Sequence, residues 1–105
     1  MRPIHVALTD KSRPVLVLTR ARARGAMAKV TVATITSTAK GLSTEVKVGR
    51  ENGLDHECVV SCDNITTIPA AQLGRQIGFL HGRQEPELVN ALIRAFDLRI
   101  EELPR

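Results

Sequence analysis

The chain has no tryptophan and no tyrosine, and its two phenylalanines, Phe79 and Phe96, sit in apolar strand-like and helical surroundings. A row of rings for stacking bases is therefore excluded, so any binding of single-stranded RNA must rest on phosphate contacts and hydrogen bonds. Such binding weakens steeply with salt. Cysteine is scarce as well: Cys58 and Cys62 are the only two. On an extended strand their Cα atoms would stand roughly 13 Å apart, whereas a disulfide needs about 7 Å or less. Two reduced, buried thiols are expected. Adding His56 does not make a zinc site, because three ligands on one extended run cannot converge on an ion about 2.3 Å from each sulfur. Neither a metal nor another cofactor is implied. No apolar run approaches the length of a bilayer, and the N-terminus carries no apolar signal segment. The expectation is a soluble cytoplasmic protein with no membrane partner.

What is present is enough for one domain spanning residues 1–105, since 105 residues at 43% hydrophobic content can bury one core but not two. The net charge of +4 and pI near 9.7 favour an acidic partner, nucleic acid or polypeptide, without choosing between them.

Most of the chain reads as short strands. Pro3–Leu8 is followed by the turn Thr9-Asp10-Lys11-Ser12 and the apolar run Arg13–Thr19. A basic loop, Arg20–Lys29, reverses the chain into Lys29–Thr36, and Thr44–Val48 alternates as a half-buried strand should. Gly49–Glu57 is a loop or short helical turn. Cys58–Ser61, Ile65–Ile68 and Gln76–Leu80 complete the strands, with Pro69 breaking the pattern. From Glu85 to Leu98 the period lengthens: Leu88, Val89, Leu92, Ile93 and Phe96 recur at three- and four-residue spacing, and Pro86 suits a first turn. Residues 98–105 read as a frayed tail. Many short strands before one amphipathic helix predict a mainly β fold: a small antiparallel barrel with a C-terminal helix.

Two strand ends carry the candidate chemistry. If Arg13–Thr19 and Lys29–Thr36 pair as a hairpin, the favoured register sets Arg13 opposite Thr36, with Cβ atoms roughly 5 Å apart. A fixed cation would then stand beside a hydroxyl, a pairing suited to a phosphodiester. Registers slipped by one residue also match the apolar faces tolerably, and such a slip would turn every side chain over.

The segments Arg13-Pro14-Val15-Leu16-Val17, Val32-Ala33-Thr34-Ile35-Thr36-Ser37-Thr38, Thr44-Glu45-Val46, Gly53-Leu54, Val59-Val60, Leu73-Gly74-Arg75-Gln76-Ile77-Gly78 and Phe96-Asp97-Leu98 together resemble the MazF/PemK family of toxin endoribonucleases. The resemblance covers nearly the whole chain. It implies an SH3-like barrel, a homodimer, metal-independent cutting of single-stranded RNA at short sequences, and neutralisation by a cognate antitoxin, which the basic charge suggests is acidic. The family's catalytic arginine falls on Arg13 and its catalytic threonine on Thr36. Three stretches depart from the family pattern. The opening strand lacks the usual Trp, the loop before Arg13 is short, and Asp63-Asn64-Ile65-Thr66-Thr67-Ile68 lacks the usual arginine. These leave the cleavage sequence and dimer contacts unread.

Cutting RNA by its own 2′-OH needs charge stabilisation on the phosphoryl oxygens, proton loss from the 2′-OH and protonation of the leaving 5′ oxygen. Arg13 suits the first task, because its fork can hold two phosphate oxygens and stays protonated. Thr36 can donate a hydrogen bond to the phosphate, with Ser37 and Thr38 behind it. Lys11, Ser12 and Lys40 lie close enough to serve as RNA contacts. The general base is open between Asp10, His5 and assistance from the substrate itself. Arg20, Arg22 and Arg24 lie roughly 20 Å from Arg13 along the hairpin and read as a solvated loop, or as a peripheral guide for longer RNA. His81 reads as a surface or helix-terminal residue. Two rival classes remain: a non-catalytic barrel that binds a protein target such as a topoisomerase, and a basic RNA chaperone. Fold does not fix function.

Overall fold

The structure, a computed structural model, describes residues 1–99. Most of the tail read from sequence, residues 100–105, lies outside the described residues. Six strands form one antiparallel sheet: β1 (Arg2–Leu8), β2 (Ser12–Val17), β3 (Lys29–Thr36), β4 (Glu45–Val48), β5 (Cys58–Pro69) and β6 (Leu73–Leu80). Their spatial order is β4-β5-β3-β2-β1-β6. The sheet curls into a half-barrel, and the helix α2 (Glu85–Phe96) closes the chain. The SH3-like barrel class expected from sequence is thus the class observed.

Alternation along the central strands makes both sheet faces apolar. Leu16 and Ala33 are partners, and with Ile4, Ile35, Val46, Val60 and Leu80 they form a core cluster that Leu88 and Ala91 of α2 join. On the opposite face Val15 and Val17 gather with Ala7, Val30, Val32 and Ile68. Each fully buried aliphatic side chain stabilises the fold by roughly 1.5–3 kcal/mol, which is how a chain so poor in rings holds a core. Cys58 and Cys62 are free and buried in the first cluster, and burial, with a smaller push from Asp55 and Asp63 respectively, raises both thiols above their ordinary value of 9.0.

Four sequence expectations are corrected. The basic loop contains a one-turn helix, α1 (Ala21–Arg24), anchored by buried Ala23. The two short strands at Cys58–Ser61 and Ile65–Ile68 are one strand, β5, with an interruption. Its ladder to β3 jumps from Ala33–Ile65 to Thr34–Ser61, so Cys62, Asp63 and Asn64 form a bulge. The last strand begins at Leu73 and not at Gln76. The final helix ends at Phe96 because Asp97 adopts a left-handed conformation, with φ of 54°, and Leu98 N–H closes onto Ile93 O at 2.9 Å.

A buried polar knot that periodicity does not reveal joins a 3-10 turn at Arg50–Asn52 to the entrance of α2. Asn52 is fully buried; its amide donates to Phe79 O at 2.8 Å and Gln84 Oε1 at 2.7 Å, and its Oδ1 accepts from Gly49 N–H at 3.1 Å. Two glycines let the backbones meet there. A Cβ on Gly53, whose φ is +91°, would fall 2.0 Å from Ile77 O, and one on Gly78 would fall 1.9 Å from Asn52 O. His81 stands at this junction, with Nε2 2.7 Å from Glu51 O, the helix-terminal position expected of it.

Candidate active site

The residue before a proline is confined to extended backbone, and Arg13, before Pro14, sits accordingly as the second residue of β2. The β2–β3 ladder pairs Val15 with Thr34, Leu16 with Ala33 and Val17 with Val32, the register favoured from sequence. Arg13 therefore continues the face of Val15 and Val17, and Thr36 the face of Thr34 and Val32. Among the described residues no hydrogen bond joins Arg13 to Thr36, and Thr34 is the β3 hydroxyl that shares a concavity with Arg13.

That concavity has a volume of about 410 Å³ and is lined by Thr9, Asp10, Arg13, Thr34 and the bulge residues Asp63 and Asn64, among others. The bulge turns polar side chains toward Arg13, and the ladder break that does so is not legible in a sequence of strand formers. Asp63 is engaged elsewhere through its Oδ2, which accepts from Thr44 Oγ1 at 2.6 Å. The partner of Arg13 is Asp10: Nη2 donates to Oδ2 at 3.2 Å, with the arginine side chain 26% and the aspartate 74% exposed. Among the described residues the buried Nε of Arg13 has no hydrogen-bond partner.

The other expected site residues are not in the lining of this concavity. Thr36 ends β3, and its Oγ1 accepts the Thr38 N–H at 3.2 Å, leaving the hydroxyl proton free to donate. Lys11 and Ser12 are exposed beside Arg13, and Lys11 N–H donates to Asp10 Oδ1 at 3.0 Å. Lys40 is exposed on the 37–44 loop, which Glu45 organises by accepting the N–H groups of Lys40 and Leu42. Ser37 lines a separate, larger groove of about 660 Å³ with Lys47, Arg50, Glu51 and Glu57, not the concavity of Arg13.

The two base candidates differ in quality. The Thr9 hydroxyl, and then the Arg13 charge, pull the Asp10 carboxyl below its ordinary 3.8, which makes it a weaker base. His5 lies on the Arg13 face of β1, opposite Val15. Its Nδ1 is 2.9 Å from Gly74 O, and because a carbonyl only accepts, Nδ1 carries the proton and Nε2 is left as the acceptor of the neutral ring.

The fold and site together are an antiparallel half-barrel with a C-terminal helix that carries, at one end of its central strands, an arginine set among hydroxyl and carboxylate groups. Residues 5–96 match the family described as PemK-like, MazF-like toxin of type II toxin-antitoxin system, and the chain belongs to that family. It is 58% identical over 98 residues to endoribonuclease MazF3 of Mycobacterium tuberculosis, covering 93% of this chain and 95% of that protein. The solved Mycobacterium tuberculosis toxin MazF-mt6 superposes with a TM-score of 0.92 at 57% identity, covering 93% of this chain and 99% of the other. A mycobacterial endoribonuclease in complex with its cognate antitoxin shares the fold at a TM-score of 0.80 and 23% identity, over 93% of each chain. The chain is an enzyme of this endoribonuclease family.

Proposed function

We propose that this protein is a toxin that cuts single-stranded RNA at short sequence motifs without a metal ion, acts as a homodimer in the cytoplasm, and is silenced by a cognate acidic antitoxin. The observation that carries the reading is Arg13: half-buried in a concavity, with an unsatisfied Nε, on the sheet face that continues toward Thr36. In the step we assign, the substrate's 2′-OH gives up its proton as its oxygen bonds to the adjacent phosphorus, the bond from phosphorus to the 5′ oxygen breaks, and one proton is returned to that leaving oxygen, so that no net proton is gained or lost. The products are a 2′,3′-cyclic phosphate and a 5′-hydroxyl. Arg13 neutralises the charge that builds on the phosphoryl oxygens, and the Thr36 hydroxyl donates to one of them. We assign contacts to the RNA backbone to Lys11 and Ser12, which precede Arg13 in the chain, and to Thr38 and Lys40, which follow Thr36; Ser37 lines the neighbouring groove.

The test is incubation of the purified protein with mixed-sequence RNA in excess chelator, followed by mapping of the ends. Discrete cuts with cyclic-phosphate and 5′-hydroxyl termini are expected, and replacing the ribose at the cut with deoxyribose should abolish cleavage there. Intact RNA with tight capture of a protein target would instead favour the non-catalytic module, and binding without cuts the RNA chaperone.

A further inference from the structure

The pair Asp10–Arg13 is built differently from an ordinary surface ion pair. Asp10 is itself fixed: its Oδ1 accepts the Thr9 hydroxyl at 2.9 Å and the Lys11 N–H at 3.0 Å, so the turn presents Oδ2 to Arg13 in one orientation. Among the described residues the carboxylate contacts the guanidinium through a single bond to Nη2, and the adjacent Nε is buried with no partner. A guanidinium offers its Nε and Nη2 edge to two oxygens of a phosphate at once. Asp10 thus holds half of a two-oxygen seat.

We propose that Asp10 is a placeholder for the substrate phosphate: it holds Arg13 in place in the free protein, and the RNA phosphate displaces it by taking both Nη2 and Nε. This rests on the reading of Arg13 as the phosphate-binding residue, and it removes Asp10 from the candidates for general base. Three features support it. The carboxylate is 74% exposed, so leaving Arg13 returns it to water at little cost. Its depressed pKa keeps it charged and weakly basic at neutral pH. The exchange of one hydrogen bond for two also satisfies a buried donor, which is costly to leave unpaired. Because Nε is closed to solvent in this pose, binding must be accompanied by departure of Asp10 or a turn of the guanidinium. Asp63, the other carboxylate lining the concavity, is held by Thr44 and does not compete for the same seat.

The experiment measures binding of a 2′-O-methyl RNA, which keeps the phosphates but cannot be cut, to wild type, Asp10→Asn, Arg13→Ala and the double variant at low salt. Asp10→Asn should tighten binding by about 1.5- to 5-fold, the range of an exposed ion pair, and by less in the Arg13→Ala background, where only the general change of net charge remains. Asp10→Glu should return affinity to the wild-type level. On cleavable RNA the gain should appear in KM, without the loss of kcat by two or more orders of magnitude that removal of a base produces. Equal effects of Asp10→Asn in both backgrounds, or a collapse of kcat, would overturn the proposal. If Arg13→Ala itself neither weakens binding nor slows cleavage, the fault lies with the assignment of Arg13 and not with the placeholder.

Discussion

At the residue scale, the proposed chemistry rests on donors that face one side of β2 and β3. The β2–β3 register was legible in sequence, because it can be read from matching apolar faces and the observed ladder is the favoured one, whereas the roles of Arg13 and Thr36 were read from the family resemblance. Thr34 and the bulge pair Asp63 and Asn64 were not legible as companions of Arg13: the first reads as an ordinary strand threonine, and the others fall between the two strands read at Cys58–Ser61 and Ile65–Ile68. Thr36 has a role that the proposal makes measurable. Since its oxygen is already an acceptor for Thr38 N–H, the hydroxyl proton is what it can give the phosphate. Thr36→Val keeps the shape and removes that proton, and kcat should fall by about 10²-fold with KM changed much less. A KM effect alone would make Thr36 a binding residue.

Among the elements, the loop between β3 and β4 is ordered by one side chain. Glu45 collects the N–H groups of Lys40 and Leu42, and chiefly the Lys40 N–H pulls its carboxyl below the ordinary 4.5. A depressed folded-state pKa stabilises the fold above the unfolded value, and that contribution disappears as pH falls through the folded value. Wild-type protein should therefore lose stability as pH drops below about 4.5, and Glu45→Gln should flatten that acid limb of the urea midpoint. An unchanged limb would show that the loop does not depend on this carboxylate. The strands β1 to β4 and α2 follow from alternation and from three- and four-residue spacing, within a residue or two. The full length of β5 and the start of β6 were obscured because Cys62–Asn64 and Leu73–Arg75 lack regular apolar alternation, yet the β3–β5 ladder resumes on both sides of the first stretch and Leu73 pairs with Ala7 in the second. Asn52 escaped notice for another reason: a buried polar hub has no periodicity, and its partners Phe79 and Gln84 are far away in sequence.

For the whole molecule, charge is distributed unevenly. Between Asp10 and Glu45 the chain has seven basic residues and no acidic one, so the segment spanning β2, α1 and β3 is much more basic than the net +4 suggests. With few aromatic rings, RNA affinity has little besides this charge and hydrogen bonding to draw on. Neutralising about four phosphates would give log Kd against log salt a slope of about 3, at roughly 0.7 per contact for a single strand. A 2′-O-methyl RNA titrated across a salt series measures it, and an affinity independent of salt would contradict the electrostatic account.

The central claim is that the Arg13 guanidinium stabilises charge on the scissile phosphate with a planar, two-oxygen grip. Single-turnover cleavage of one defined RNA in chelator, at saturating enzyme, tests it most directly. Arg13→Ala should slow the step by about two to four orders of magnitude, and Arg13→Lys, which keeps the charge but loses the fork, should recover only a small part. Cleavage at the wild-type rate by Arg13→Ala would contradict the account.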